Sequence, residues 1–459
     1  MPFDSERHNR SSREPAARKR IAVIGAGISG LSAAWLLSHD HDVVIYEEEN
    51  RLGGHANTVE TPIKGGVEHV DCGFIVFNKA NYPNFTALLN HLDVGIEESC
   101  MSFGVSMQGG QIEYSGQSIS SLFAAPRSYR SRRHWQMLGE LLKFHRVARQ
   151  AIARGIGDTE TLQQFIHQNR LSDVFAERFL RPFAAAIWSA PAATVLDYPA
   201  GSFLRFFANH GLLQVLNMPI WNTVRGGSKS YVDRLAAGLS GAARLGCRVQ
   251  SVKRSLTGIE VHDETGACDL FDDVLIATHG DIALSLLEKP TQNEARLLSA
   301  FRYQKNYAVL HKDPALMPVR KCAWSSWNYL GGEDMVAVTY WMNRLQNLKG
   351  GEDIFVTLNP SGKIREDRIV AEFDYTHPIF DLAAGAAQKS LSSIQGESGI
   401  WYAGAHFGQG FHEDGLQAGL HAAELMGARR RPWDVENESG RIYVTDAAKS
   451  CGASALAGQ

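Results

Sequence analysis

No segment of the 459 residues qualifies as a membrane span: such a helix needs roughly 18 to 20 consecutive apolar residues, and every apolar run is broken earlier. Paired cysteines are missing as well. Cys72, Cys100, Cys247, Cys268, Cys322 and Cys451 are scattered, with no C-x-x-C pair and no His/Cys group at metal-ligand spacing, so neither a disulfide framework nor a metal site is expected. That usage fits a reducing, cytoplasmic setting. An excess of one charge is also lacking. Lys and Arg number 46 against 49 Asp and Glu, a net charge of −3, which argues against a nucleic-acid partner. What the chain does have is 44% hydrophobic residues over a length that can fill a large core and divide into two domains.

Residues 1–18 are polar and without periodicity and read as a disordered arm. Arg18, Lys19 and Arg20 before an apolar stretch mimic a secretory leader, but the glycines inside that stretch fall where a nucleotide fold needs them. Ile21–Ile24 reads as a strand, Leu31–Leu37 as a helix and Val43–Tyr46 as a second strand, a βαβ unit. Residues 79–225 read as a largely helical insertion, and residues 301–375 as aromatic-rich strands. The fold class expected is α/β: a Rossmann-like domain from discontinuous segments, 19–78, 226–284 and 385–430, beside a mixed α+β substrate domain, 79–225 and 285–384. Residues 431–459 read as a flexible tail.

The strongest motif is Gly25-x-Gly27-x-x-Gly30 between the first strand and helix. Gly25 permits the tight turn, Gly27 admits a pyrophosphate to the backbone, and Gly30 allows close helix–strand contact, while the helix N-terminus favours negative charge. Ile28 and Ser29 belong to that same helix start. Glu47 ends the second strand, with Glu48 beside it, where a carboxylate accepts hydrogen bonds from ribose hydroxyls. Arg51, Gly53, Gly54 and His55 follow, a charge and two bare backbone positions suited to a diphosphate and its linker. A second fingerprint is absent: Gly226-Gly227 lacks both the preceding strand and the spacing, so a separate NAD(P)H domain is not expected.

On these residues, on Asp71-Cys72-Gly73 and Arg225-Gly226-Gly227-Ser228, and on Tyr402–His406 with Gly410–Gly419, the chain resembles the flavin-containing amine oxidoreductase superfamily of amine oxidases, protoporphyrinogen oxidase and phytoene-type desaturases. The resemblance spans about residues 19–428. It implies FAD as cofactor, Gly404 and the backbone of Asp414, Gly415 and Leu416 against the flavin, Val249 pairing with adenine, and Lys305 as a lysine acting on the flavin through water. Relatives carry an acidic residue just after the glycine where this chain has Ala405-His406. Trp324–Tyr329, Thr339–Asn343 and Gly410–Gly415 make the texture similar to a bacterial branch associated with modified acyl chains, including furan fatty acid formation. The expected reaction is hydride removal from a C–H bond of an apolar substrate, desaturating a methylated phospholipid acyl chain. Amine oxidation and a non-catalytic FAD-binding partner of a lipid enzyme are the alternatives.

Other features have two readings. Arg127 to Arg154 carries eight basic residues against the single acid Glu140, either an ordinary solvated helix face or a surface for anionic membrane, which would make the protein peripheral. Trp188, Trp221, Trp324, Trp327, Tyr340 and Trp341 are core or a substrate tunnel. Tyr340 and His412 join Lys305 as catalytic candidates, and His55, His377 and His406 are further bases or structural histidines.

Overall fold

The structure is a computed structural model and describes residues 17–188, 195–209, 211–213, 219–331 and 336–444. Its organising element is a five-stranded parallel sheet in the order Ala243–Arg244, Asp42–Tyr46, Arg20–Ile24, Asp273–Ile276, Ile400–Tyr402. Ile21 to Ile24 and Val274 to Ile276 are almost wholly buried, which is why they read as unbroken apolar runs: both faces of a parallel sheet are covered. All ten residues of the helix Ile28–Leu37 are buried too. It lies between the sheet and the helix His412–Leu425.

Two glycines set how closely these parts approach. A Cβ on Gly30 would stand 1.9 Å from the Gly25 carbonyl oxygen, and one on Gly419 would stand 2.1 Å from the Ser29 carbonyl oxygen. The first and last helices therefore cross backbone to backbone. The fold is α/β with a Rossmann-like domain drawn from sequence-distant segments.

The second part is a seven-stranded sheet in the order Ile369–Ile379, Arg302–His311, Phe355–Leu358, Val336–Trp341, Trp327–Gly331, Phe103–Met107, Ile112–Ser115. The helices Arg132–Ala153, Leu162–Gln168 and Ala200–Asn209 form a separate aromatic-rich core beside it. The insertion at 79–225 is thus not wholly helical: Ile96–Ser99, Phe103–Met107, Ile112–Ser115 and Trp221–Val224 are strands. Two of them extend the large sheet: Phe103–Met107 pairs with Trp327–Gly331, more than 200 positions away and invisible to local periodicity, and Ile112–Ser115 pairs with Phe103–Met107 as the outermost strand.

The C-terminal segment also departs from expectation. Residues 431–444 are anchored: Arg431 is buried and pairs with Glu424, Trp433 stacks on Trp35, and Arg441 reaches Asp414. At the other end Arg18 pairs with Asp42. Residues 1–16 and 445–459, with Cys451, and the Trp188 side chain lie outside the described residues. No helix among the described residues is long and apolar enough to cross a membrane.

Candidate cofactor and substrate site

The parallel strands end at one cavity. Gly25, Glu47, Ala277 and Gly404, each following the C-terminal end of a strand, line a space of about 1200 Å³. Open α/β sheets bind ligands at that edge, and roughly 300–1,000 Å³ is the ordinary range for one small molecule. There is room for a dinucleotide and a second ligand.

Glu47 is buried and accepts from the Ala26 N–H at 2.7 Å and the Glu49 N–H at 3.0 Å. Burial nevertheless raises its pKa. The loop after it returns to the first glycine turn: the Gly53 N–H donates to the Ala26 carbonyl at 2.9 Å, and Gly27 and Gly53 form a bridge. Gly53 has φ +109°, a conformation that only glycine adopts easily. A side chain on Gly54 would press on Gly27 at 3.1 Å. Gly27, Ile28, Ser29, Glu48, Gly53 and Gly54 all line the cavity, as do His55 and Val249.

The other expected residues separate from this group. Gly30 acts in helix contact. Arg51 pairs with Glu49 at 2.7 Å and is not itself on the lining, although its partner is. Asp414, Gly415 and Leu416 are buried behind the wall, which on this side is Gly404, Ala405, His406 and Gln409 to His412. Asp414 accepts from the Phe411 N–H at 2.8 Å and holds Arg441 at 2.6 Å, Gly415 meets Ile28 and Ser29, and Leu416 is core. The helix starts earlier than its glycine suggests, so the lining falls to residues before Asp414. Lys305 lies exposed on its strand, away from the cavity.

Tyr340 and His412 do line the cavity. His412 stacks on Phe74 with centroids 3.8 Å apart, and its Nε2 is 2.6 Å from the Tyr231 hydroxyl. Burial lowers its pKa to about 3, so it is neutral and a weak base. Asp71 is absent from the lining; its carboxylate accepts from Thr58, from Ser228 and from Gln346, tying the Gly226-Gly227 turn to the strand pair below it. Of the tryptophans, Trp221 and Trp327 line the cavity, whereas Trp324 and Trp341 contact each other outside it.

Sequence reasoning missed Tyr303, Tyr375, Thr376 and His279 on the lining. They stand on paired strands or just past a strand end, and only the register of residues 302–311 with 369–379 brings them together. It also missed a surface group, Glu260, His262 and Cys268, whose ligand atoms lie within 4.8 Å of one another. Their spacing becomes visible only when His262 is paired with Cys268 across two strands, and Lys253 already holds Glu260 at 2.8 Å.

A Rossmann-like sheet, a glycine cradle and an acidic strand end define a protein that binds a dinucleotide cofactor. The sequence profile of the flavin containing amine oxidoreductases matches residues 28–310. The chain belongs to that family, whose cofactor is FAD, and the class is that of FAD-dependent oxidoreductases. Amine oxidase [flavin-containing] A of Canis lupus familiaris is 50% identical over 52 residues, 11% of this chain and 9% of that protein. The chain thus matches only about a tenth of that relative's length. Among solved structures, cyclohexylamine oxidase from Brevibacterium oxydans IH-35A superposes with a TM-score of 0.64 at 15% identity, over 89% of this chain and 98% of that one. The CLA-producing fatty acid isomerase from P. acnes superposes with a TM-score of 0.60 at 17% identity, over 89% and 98%.

The residues present fit FAD. The glycine turns leave backbone open to a diphosphate, Glu47 faces the cavity as an acceptor, and the Nε2 atoms of His55 and His406, both on the lining, are shielded and have no partner among the described residues. The charged lining groups Glu48, Glu49, Arg248 and Glu264 cluster at the end near the second strand. The opposite end is built from Phe103, Ile187, Phe206, Trp221, Trp327 and Tyr340.

Proposed function

We propose that the protein removes a hydride from a C–H bond of an apolar substrate, an acyl chain, and leaves a carbon–carbon double bond as a proton is lost from the neighbouring carbon. When bound, FAD supplies the two-electron acceptor for that reaction. Gly27, Gly53 and Gly54 would hold its diphosphate and Glu47 its ribose. The aromatic end of the cavity receives the chain, excludes water and fixes one C–H bond against the ring site.

The observation that carries this reading is the chemistry of that end. Asp374 is the one carboxylate there among the described lining residues, and it is exposed. The histidines are neutral: burial lowers His377 to about 4 and His406 to about 3. No buried carboxylate stands there among the described residues to pair with a charged ammonium, whereas a long apolar chain finds aromatic and aliphatic contact throughout. That a fold neighbour is a fatty acid isomerase agrees with it. Anaerobic incubation of the FAD-loaded protein with methylated unsaturated phospholipid, and separately with a panel of amines, decides the matter: bleaching of the flavin by the lipid is expected, and bleaching by amines alone refutes the acyl-chain reading.

We propose further that the substrate is reached at an anionic membrane surface. Arg127, Arg130, Arg132, Arg133, Arg146 and Arg149 are exposed, and none has an acidic partner among the described residues. Glu140 is engaged by Ser172. Among these arginines stand Ile119, Tyr129, Trp135 and Leu142, exposed by 82, 55, 54 and 61%, a pattern suited to acidic headgroups and the interface beneath them. The opposite face of the helix Arg132–Ala153 packs through Phe144 on Phe207, next to the cavity residue Phe206. Co-sedimentation with vesicles containing phosphatidylglycerol is expected and is weakened by salt; replacing Arg130, Arg132 and Arg133 with Glu abolishes it. Equal binding to neutral vesicles refutes the proposal.

A further inference from the structure

One side chain of the cavity has its hydrogen-bonding polarity set from outside. Beyond the strand Phe355–Leu358 the chain turns through Asn359, whose φ of 49° lies in the left-handed region that Asn tolerates. This turn lays Asn359 against Tyr307: its N–H donates to the Tyr307 carbonyl at 2.7 Å, and the Tyr307 N–H donates to Asn359 Oδ1 at 3.0 Å. A backbone N–H only donates, so the atom facing it is the amide oxygen and the other is the amide nitrogen. Asn359 Nδ2 donates to Asn306 Oδ1 at 2.8 Å. Asn306, buried to 1% exposure, is thereby oriented as well, and its Nδ2 donates to His377 Nδ1 at 2.8 Å. With Nδ1 accepting, a neutral imidazole carries its hydrogen on Nε2.

His377 lines the cavity, and its Nε2 has no hydrogen bond to any described residue. Its ring centroid is 5.4 Å from that of His55, the residue that follows the Gly53-Gly54 turn. His279 has no such constraint, since its Nδ1 faces the Thr376 hydroxyl at 3.0 Å, a group that either donates or accepts.

We propose that His377 presents its Nε2–H as a fixed donor to the redox ring of bound FAD, with Asn306 and Asn359 as positioning residues that hold the tautomer. The inference rests on the flavin reading above and deepens it. A donor fixed where charge accumulates on reduction favours the reduced form, so it raises the reduction potential.

The test equilibrates FAD-loaded protein with a reference dye during reduction, without substrate. His377→Leu is expected to lower the midpoint potential, and His377→Gln, whose amide retains an N–H, to restore most of the difference. Asn359→Asp is the decisive variant because it leaves the cavity wall intact. An acceptor in place of Nδ2 turns the Asn306 amide over, so that His377 Nδ1 becomes the donor and Nε2 the acceptor. The ¹⁵N resonances of His377, assigned by comparison with His377→Gln, are expected to exchange tautomer in Asn359→Asp, with the potential falling as in His377→Leu. Should His377→Leu fail to fold, Asn359→Asp alone carries the test. An unchanged tautomer there, or an unchanged potential in a variant that has lost the Nε2–H, overturns the inference. Protein that takes up no FAD at all refutes the flavin reading instead, so the two failures are distinct.

Discussion

Glu47 joins two jobs in one carboxylate: it ties the first glycine turn to the end of the second strand, and it offers an acceptor to the cavity. Glu47→Ala leaves the Ala26 N–H without its partner, which costs about 1–3 kcal/mol. Thermal unfolding with and without FAD is expected to show both lower stability and FAD affinity reduced by about tenfold or more, one such hydrogen bond to a charged group being worth ~1.5–3 kcal/mol. The buried histidines give a second prediction. His377 is held near 4, His406 and His412 near 3, and His55 well below 6.5, all chiefly by burial. In the unfolded chain they bind protons below about 6.5, whereas the folded protein does not until the pH nears its own lowered values. The unfolded state therefore gains protons first. Stability is full above pH 6.5 and is lost as pH falls from there toward 4, by up to about 1.4 kcal/mol per pH unit for each such histidine. Unfolding midpoints in urea between pH 7 and 5 measure this, and a flat profile contradicts the burial of these rings. Residue identity alone announced the glycines and Glu47. It did not announce that Lys305 faces solvent, because the orientation of a strand side chain follows from register, which one segment does not specify.

At the scale of elements, the crossing of the helices Ile28–Leu37 and His412–Leu425 is the most demanding contact. Gly419→Val has nowhere to place its side chain, since the opposing atom is backbone. Overpacking of this kind typically costs about 1–3 kcal/mol and occasionally more. Because the displaced helix carries Phe411 and His412 on the cavity wall, FAD retention through gel filtration is expected to fall together with the melting temperature. A Gly419→Val protein that keeps both contradicts the crossing. Elements of the parallel sheet were legible because strands buried on both faces are apolar throughout and separated by turn glycines. Phe103–Met107 and Ile112–Ser115 were not, since this short hairpin carries polar residues and joins the large sheet only through Phe103–Met107, whose other partner Trp327–Gly331 lies more than 200 positions along the chain.

For the whole molecule, the segment 431–444 acts as a clasp rather than a tail. Arg441 pairs with the fully buried Asp414, donates to the Asn81 carbonyl at 2.9 Å and lies over the Tyr82 ring, joining the last helix to residues of the insertion. Arg441→Met leaves a carboxylate buried without its counter-charge, a change that costs about 3–5 kcal/mol. The double variant Arg441→Met, Asp414→Asn is expected to recover a good part of that loss in urea unfolding, and no recovery contradicts a direct pairing. The clasp escaped sequence reading because Arg431 and Arg441 sit in a polar stretch whose few apolar residues show no period.

The strand Ile400–Tyr402 occupies one rim of a sheet whose other members end by residue 276. During synthesis the neighbouring strand Asp273–Ile276 waits for well over a hundred residues with one of its edges bare. The Gly404 corner of the cavity is made last of all. A nascent chain stopped short of residue 400 would therefore be protease-sensitive, and flavin capture waits until that strand has been made.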